Sequence, residues 1–457
     1  MLLRLRPVRS ASVPAGRYNR TGSRQPRSVS NRPGSAVSTA TWPAPAGRAL
    51  VAAAYAAPMQ DAHDEPPYAW VVVWACFASL AVIFGVSYSF AALFPSFTAE
   101  FKAQRADVSL VFGLSGLIYF VLGAGAGMLA DRYGPRLVTG AGMVMIAAGL
   151  AGSSWAGTLT GVVLAFGVGV GVGIGLVYVP AISCVQPWFK RRRGLAAGLA
   201  SAGIGAGTLV VPLLLTAAID SLGWRAALRV LALAVLLLGL GATQLLRRAP
   251  AATAEGAQAV PGHTLQQALR TPAFGWLYAM AVLAAPSMFI PFAHASAAAR
   301  DLGVPAAQAV GLVGLIGVGS LLGRFGIGAL ADRLGRPLTL MLAQAALGAA
   351  YLLWAGAGGY TAMAVFAVAI GLSYGGIVSL MPALCMDFFG ARAVSSVVGV
   401  LYTGAALGNL AGPFVAGWVF DSTGSYAGVV WGCMLLSALA TGAARMAGQR
   451  RPGVAEA

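Results

Sequence analysis

The chain has 457 residues, of which 58% are hydrophobic and only 9% charged, and its formal net charge is +17. Soluble domains carry about 25% charged residues, so this composition excludes a water-soluble enzyme or binding module and implies a polytopic membrane protein. The positive charge does not mark a nucleic-acid binder, because the basic residues sit in the N-terminal stretch and in short loops between apolar runs, the distribution of a membrane protein with its positive side facing the cytoplasm.

Residues 1–66 form an N-terminal extension. Positions 1–58 are rich in Ser, Pro, Ala and Gly, with nine arginines and no acid. Such a stretch builds no core, and its composition is also that of a transit peptide. Met59, followed by Gln-Asp-Ala-His-Asp-Glu-Pro-Pro, is the alternative start. Segments of about 20 apolar residues follow, each long enough to cross a hydrocarbon layer of roughly 30 Å. They predict helix 1 at 68–94, helix 2 at 106–130, helix 3 at 136–155, helix 4 at 158–186, helix 5 at 194–217 and helix 6 at 223–246. After a connector come helix 7 at 272–298, helix 8 at 306–330, helix 9 at 336–356, helix 10 at 359–386, helix 11 at 393–418 and helix 12 at 425–446. The domains are then a six-helix bundle over 67–246, a cytoplasmic linker over 247–271, a second six-helix bundle over 272–446 and a tail over 447–457.

Arg132, Arg136, Lys190 to Arg193, Arg247, Arg248, Arg333, Arg336 and Arg445 to Arg451 all mark one side as cytoplasmic, which puts both termini inside. Loops of the other side hold Glu100, Asp107, Asp220, Asp301 and Asp421, with Arg105, Arg225 and Arg300 as exceptions. Cys76, Cys184, Cys385 and Cys433 lie in or beside apolar runs and form no Cys-x-x-Cys, so neither a disulfide framework nor a metal site is expected. Helix 4 carries Gly167, Gly169, Gly171, Gly173 and Gly175. That spacing does not make a nucleotide loop, and no strand precedes it, so close helix packing is the expected role.

One stretch occurs twice. Gly-Met-Leu-Ala-Asp-Arg-Tyr-Gly begins at Gly127, and Gly-Ala-Leu-Ala-Asp-Arg-Leu-Gly begins at Gly328. Asp131 and Asp332 are 332 − 131 = 201 positions apart, and Gly113/Gly314 and Gly116/Gly317 keep that offset. A repeat this long suits a duplicated membrane bundle. Each copy is a tight charged turn between two apolar helices, in which Asp and Arg are able to pair.

The duplicated turn resembles the loop signature of the major facilitator superfamily, found between helices 2 and 3 and again between helices 8 and 9. The resemblance covers about residues 66–446. It implies an all-α membrane protein with twelve transmembrane helices in two pseudo-symmetric six-helix bundles. It also implies that Gly127, Asp131, Arg132, Gly134 and Arg136, with Gly328, Asp332, Arg333, Gly335 and Arg336, act as a conformational gate.

Almost nothing ionises within the predicted spans, which singles out Arg324. Eight residues before Asp332, it lies about 12 Å deeper than the turn. Its repeat equivalent is Gly123, so only one half carries this cation. An arginine at membrane depth costs at least ~2.5 kcal/mol. It needs a partner or a water-filled cavity: either an anionic passenger, which its planar fork matches, or, in the structural alternative, snorkelling to the cytoplasmic surface or bonds to helix carbonyls. His294 ends helix 7 and is either structural or a proton or anion partner. Tyr88, Tyr178, Tyr374 and Tyr402 lie inside helices 1, 4, 10 and 11, where their hydroxyls need polar company; packing and a polar cavity both supply it. The run Trp188-Phe-Lys-Arg-Arg-Arg-Gly194 sets topology and is a candidate contact for anionic lipid. No nucleophile–base pair, metal cluster or phosphate loop supports an enzyme, and no cofactor is expected.

Three further stretches narrow the resemblance: Tyr68-Ala-Trp70; Tyr178-Val-Pro180 with Trp188 to Gly207; and the segment around His294. Together they look like the monocarboxylate porters and oxalate–formate antiporters. In that group a helix 8 arginine binds the substrate carboxylate, which Arg324 matches, and His294, Tyr178 and Tyr374 match site residues of bacterial relatives. Departures are Ser320 where animal porters have an acid, and the lack of a lysine in helices 1 and 11. One membrane cation implies one carboxylate. The function expected is a secondary transporter of a small, lactate- or pyruvate-like monocarboxylate, working by alternating access, coupled to protons and monomeric in the membrane. The alternatives are an exporter of another organic solute and a non-transporting membrane sensor. Arg-heavy, Lys-poor usage resembles that of a GC-rich bacterium, whose inner membrane is the expected location.

Overall fold

The computed structural model describes residues 66–189, 192–249, 262–390 and 392–450. The expectations for the N-terminal extension and its alternative start, for most of the linker, for Lys190 and Arg191, and for the tail beyond Arg450 fall outside these residues. Twelve helices are long and apolar enough to cross a membrane. They are α1 Pro67–Phe101, α2 Arg105–Tyr133, α3 Pro135–Trp155, α4 Leu159–Trp188, α5 Arg193–Leu222, α6 Trp224–Gln244, α7 Pro272–Asp301, α8 Ala306–Leu334, α9 Arg336–Ala355, α10 Tyr360–Phe389, α11 Val394–Thr423 and α12 Ala427–Gln449. A one-turn helix, Leu265–Leu269, precedes α7 and starts with a capping box between Thr264 and Gln267.

Several helices outrun their apolar stretches. α1 continues to Phe101, α8 to Leu334 and α11 to Thr423. Ion pairs form near several helix ends. Glu100 meets Arg225 at 2.6 Å, Arg105 meets Asp301 at 2.8 Å and Arg336 meets Asp387 at 2.5 Å. Two of the three arginines that broke the charge rule are thus neutralised by acids on their own face.

The duplicated turn has one geometry in both copies. Gly134 has φ 93° and ψ 148°, and Gly335 has φ 83° and ψ 143°. A Cβ is strained at such angles, which is why glycine stands there. Asp131, Arg132, Asp332 and Arg333 are exposed in the last helical turn. The expected Asp–Arg pairing within each turn does not form, since adjacent residues on a helix point apart. The following arginines do the tying instead. Arg136 Nε donates to the Leu246 carbonyl at 3.2 Å, and Arg336 Nη1 donates to Asp387. Arg248 donates to the carbonyls of Ala130 and Asp131, which close the end of α2.

The six helices on either side of the linker meet chiefly where α2 packs on α11 and α5 packs on α8. These are equivalent contacts under the 201-residue offset. Within α4, alternate glycines form two stripes. Gly167, Gly171 and Gly175 press on Leu114, Ser115 and Tyr119 of α2, while Gly169 and Gly173 press on Gly149 and Ile146 of α3. Residues four apart share a helix face, so glycine at every second position lets one helix approach two neighbours closely.

Candidate functional site

A cleft lies between the two sets of helices and encloses about 690 Å³ of empty space, counting the solvent at its mouth. The N-terminal set contributes Phe84, Phe120, Tyr178 and Ile204, from α1, α2, α4 and α5. From the C-terminal set come Met280, Met288 and Phe289 of α7, Arg324 of α8, Tyr374 and Met381 of α10, and Leu401 and Tyr402 of α11. Arg324 and Tyr178 each lie ten residues from the motif-face ends of their helices, Leu334 and Trp188, and Tyr402 lies eight from Val394. At 1.5 Å per residue all three hydrophilic groups therefore sit about 12–15 Å inside that face.

Arg324 is half-buried, and its Nε and Nη2 are enclosed with no hydrogen-bond partner. No ion pair to Arg324 forms among the described residues. The side chains of Tyr178, Tyr374 and Tyr402 line the same cleft. An enclosed charged donor without an acceptor costs more than the ~1–3 kcal/mol of a neutral one. A guanidinium with free N–H groups is chemically able to take a carboxylate in two-pronged fashion.

Its placement follows from α8 packing on α10. A Cβ on Gly323 would lie 2.0 Å from the Leu372 carbonyl oxygen, and one on Gly375 2.0 Å from that of Ser320. These glycines bring the two backbones together and set Arg324 beside the helix that carries Tyr374. At the repeat equivalent, a Cβ on Gly123 would face only Val179, at 3.1 Å. Tyr88, buried to 1% exposure, does not itself line the cleft but touches it through Tyr374. Its hydroxyl is 3.2 Å from that of Tyr374, and its ring stacks on Phe292 with centroids 4.0 Å apart.

His294 is fully buried and lies outside this cleft. Its Nε2 is 3.0 Å from Ser109 Oγ and 2.8 Å from the Pro413 carbonyl, and its Nδ1 is 3.0 Å from Tyr426 Oη. These partners come from α2, α11 and the α11–α12 turn. They belong to a larger seal on the face opposite the duplicated turns. Arg105 grips Asp301 with two bonds of 2.8 Å and donates to Tyr426 Oη at 2.8 Å. Its guanidinium also covers the Phe420 ring at 3.7 Å. Asp421 accepts from the backbone N–H groups of Arg105 and Ala106, at 3.1 and 2.9 Å, and so holds the N-terminus of α2. Sequence reasoning missed Tyr426, Ser109 and the pairing of Arg105. The available signal was three arginines placed against the charge rule, with acids on the same face.

The family model of the Major Facilitator Superfamily matches residues 75–413, with a second match over 287–456. Monocarboxylate transporter 13 of Rattus norvegicus is 30% identical over 383 residues, covering 82% of this chain and 89% of that protein. The Fujikurins efflux protein of Gibberella fujikuroi is 29% identical over 340 residues, 71% of each chain. Among solved structures, a bacterial homologue of the human lysosomal transporter Spinster, captured inward-facing and unoccupied, superposes with a TM-score of 0.67. That match has 18% identity and covers 86% of this chain and 100% of that one. This last likeness is one of fold.

Proposed function

We propose that this chain, which belongs to the major facilitator superfamily and to its monocarboxylate-porter-like branch, carries a small organic monocarboxylate across the membrane by alternating access. The observation that carries the reading is Arg324, whose Nε and Nη2 are enclosed without a partner in the cleft between the halves. The passenger's carboxylate supplies the missing acceptors, with hydroxyls of Tyr178, Tyr374 and Tyr402 around it. The halves then rock about this site, in the manner of repeat-built transporters. The duplicated turns face the cytoplasm of a bacterial inner membrane, and the seal around Arg105 faces outward.

The experiment is uptake into proteoliposomes. Arg324→Ala abolishes saturable uptake of radiolabelled pyruvate or lactate while the purified variant stays monodisperse. Arg324→Lys keeps the charge but not the two-pronged geometry and loses at least about tenfold in apparent affinity. Uptake that survives Arg324→Ala unchanged ends the reading. Proton coupling is part of the proposal, with the proton on His294 or on the passenger's own carboxyl group. If His294→Gln removes pH-gradient-driven accumulation but leaves counterflow intact, the histidine carries the proton. If both persist, the carboxyl group does.

Export is a second reading, supported by the likeness to the Fujikurins efflux protein. Counterflow from loaded vesicles in both orientations separates the two.

A further inference from the structure

We infer that the cleft selects monocarboxylates with an apolar, aromatic body over short hydroxy- or oxo-acids, dicarboxylates and zwitterions. The inference rests on the reading of Arg324 as the carboxylate anchor and concerns the rest of the passenger.

The argument is chemical. Beyond the guanidinium and three phenols, the described side chains that line the cleft are aromatic, aliphatic or thioether, with no Asp, Glu, Asn, Gln, Ser, Thr, His or Lys among them. A second carboxylate finds no second cation there. An α-ammonium finds no counter-charge, and at this depth an unpaired charge is costly. A sugar-like passenger with many hydroxyls leaves most of them unpaired, a penalty incurred separately at each one. What the walls do offer is ring surface. Phe84 stands edge-on to Tyr178 at 5.2 Å and 88°. Phe120 touches both Phe289, at 5.7 Å, and Tyr402, at 5.8 Å. Phe289 meets Tyr374 edge-on at 6.2 Å. The rings that face the passenger's body are thus packed against the tyrosines that surround its carboxylate, and both halves contribute. Such edge-to-face frames accept another ring at centroid separations of about 4.5–7 Å. Met280, Met288 and Met381 complete the wall, and unbranched thioethers repack around irregular apolar shapes and contact ring edges favourably. A three-carbon acid occupies the anchor and leaves this surface wet. An arylalkanoate covers it.

The test is a matched series on the full-length protein in nanodiscs, by isothermal titration: lactate, 3-phenyllactate, phenylsuccinate and phenylalanine. Lactate and 3-phenyllactate differ by one phenyl group. The expected result is that 3-phenyllactate binds at least about tenfold more tightly than lactate, while phenylsuccinate and phenylalanine bind more weakly than 3-phenyllactate. Phe289→Ala removes most of the phenyl preference, read as the ratio of 3-phenyllactate to lactate affinity in the same variant. Phe120→Leu, a gentler change at a partly exposed site, does the same in part and covers the case in which Phe289→Ala does not fold. Lactate binding as tightly as 3-phenyllactate, in an Arg324-dependent manner, overturns the aromatic preference and leaves the carboxylate anchor standing. Tight binding of phenylalanine overturns it as well. Failure of every acid to bind, or binding that ignores Arg324→Ala, removes both.

Discussion

Tyr374 shows how a single hydroxyl serves two purposes. It bonds Tyr88 across the halves at 3.2 Å, and its side chain lines the cleft together with Arg324. Tyr374→Phe keeps the ring against Phe289 and Phe292 but deletes the hydroxyl. A hydrogen bond of this kind contributes about 0.5–1.5 kcal/mol, so the expected KM for a carboxylate rises by about two- to tenfold. The same substitution at Tyr402 is expected to raise KM without touching the Tyr88 contact. A transport assay that finds KM unchanged for both variants removes the tyrosines from the site. His294 lies apart from them because its ring is already saturated by Ser109, Pro413 and Tyr426. Nothing in the local sequence indicates those partners, which come from two other helices and a turn.

The pairing of α8 with α10 depends on glycine at the crossing. Both helices run at interhelical contact along Gly319, Gly323, Gly371 and Gly375, where an added Cβ would lie 2.0–2.3 Å from a carbonyl oxygen of the partner. Gly323→Val is expected to push the helices apart, lower thermal stability by an overpacking cost of about 1–3 kcal/mol or more, and displace Arg324 from the cleft. Gly326, three positions on, meets nothing within 4 Å, and Gly326→Val is the control. A fluorescence-monitored melting experiment that finds the two variants equally stable contradicts this account of the crossing. In α4 the same physics runs twice, since its two glycine stripes serve α2 and α3 at once. Sequence reading excluded a nucleotide loop there and expected packing, but the identities of the two neighbours depend on how the helix is rotated in the bundle.

Among the described residues, the hydrogen bonds that join the halves gather away from the duplicated turns. Arg105, Asp301, Asp421, Tyr426, His294 and Ser109 hold that side together, while Asp131, Arg132, Asp332 and Arg333 stand exposed on the other. Hydrogen bonds to charged groups contribute about 1.5–3 kcal/mol each, so loss of the Arg105–Asp301 clasp shifts the conformational equilibrium by roughly tenfold or more. Arg105→Ala is therefore expected to speed labelling of a Ser296→Cys probe by a membrane-impermeant maleimide applied from the seal side. Ser296 is 2% exposed, and the native cysteines are buried and give little background. An unchanged labelling rate contradicts the clasp.

Twelve spans, their order, the duplication and Arg324 at membrane depth in α8 are readable from composition and spacing, because hydrocarbon thickness dictates run length and the cost of burying charge makes an intramembrane cation stand out. Gly134 and Gly335 stand in the repeated motif itself, and their backbone angles, φ 93° and 83° with ψ 148° and 143°, are ones that only glycine adopts without strain. The aromatic walls around Arg324 are not readable in this way. Phe84, Phe120 and Phe289 look like any lipid-facing phenylalanine until rotation about each helix axis turns them inward. Nor is the Arg105 seal, whose members lie up to 321 positions apart and meet only when one particular face is closed. Linear pattern records how much apolar length each helix needs. Which residues face each other is settled by packing, since the bilayer itself exerts almost no preference among apolar faces.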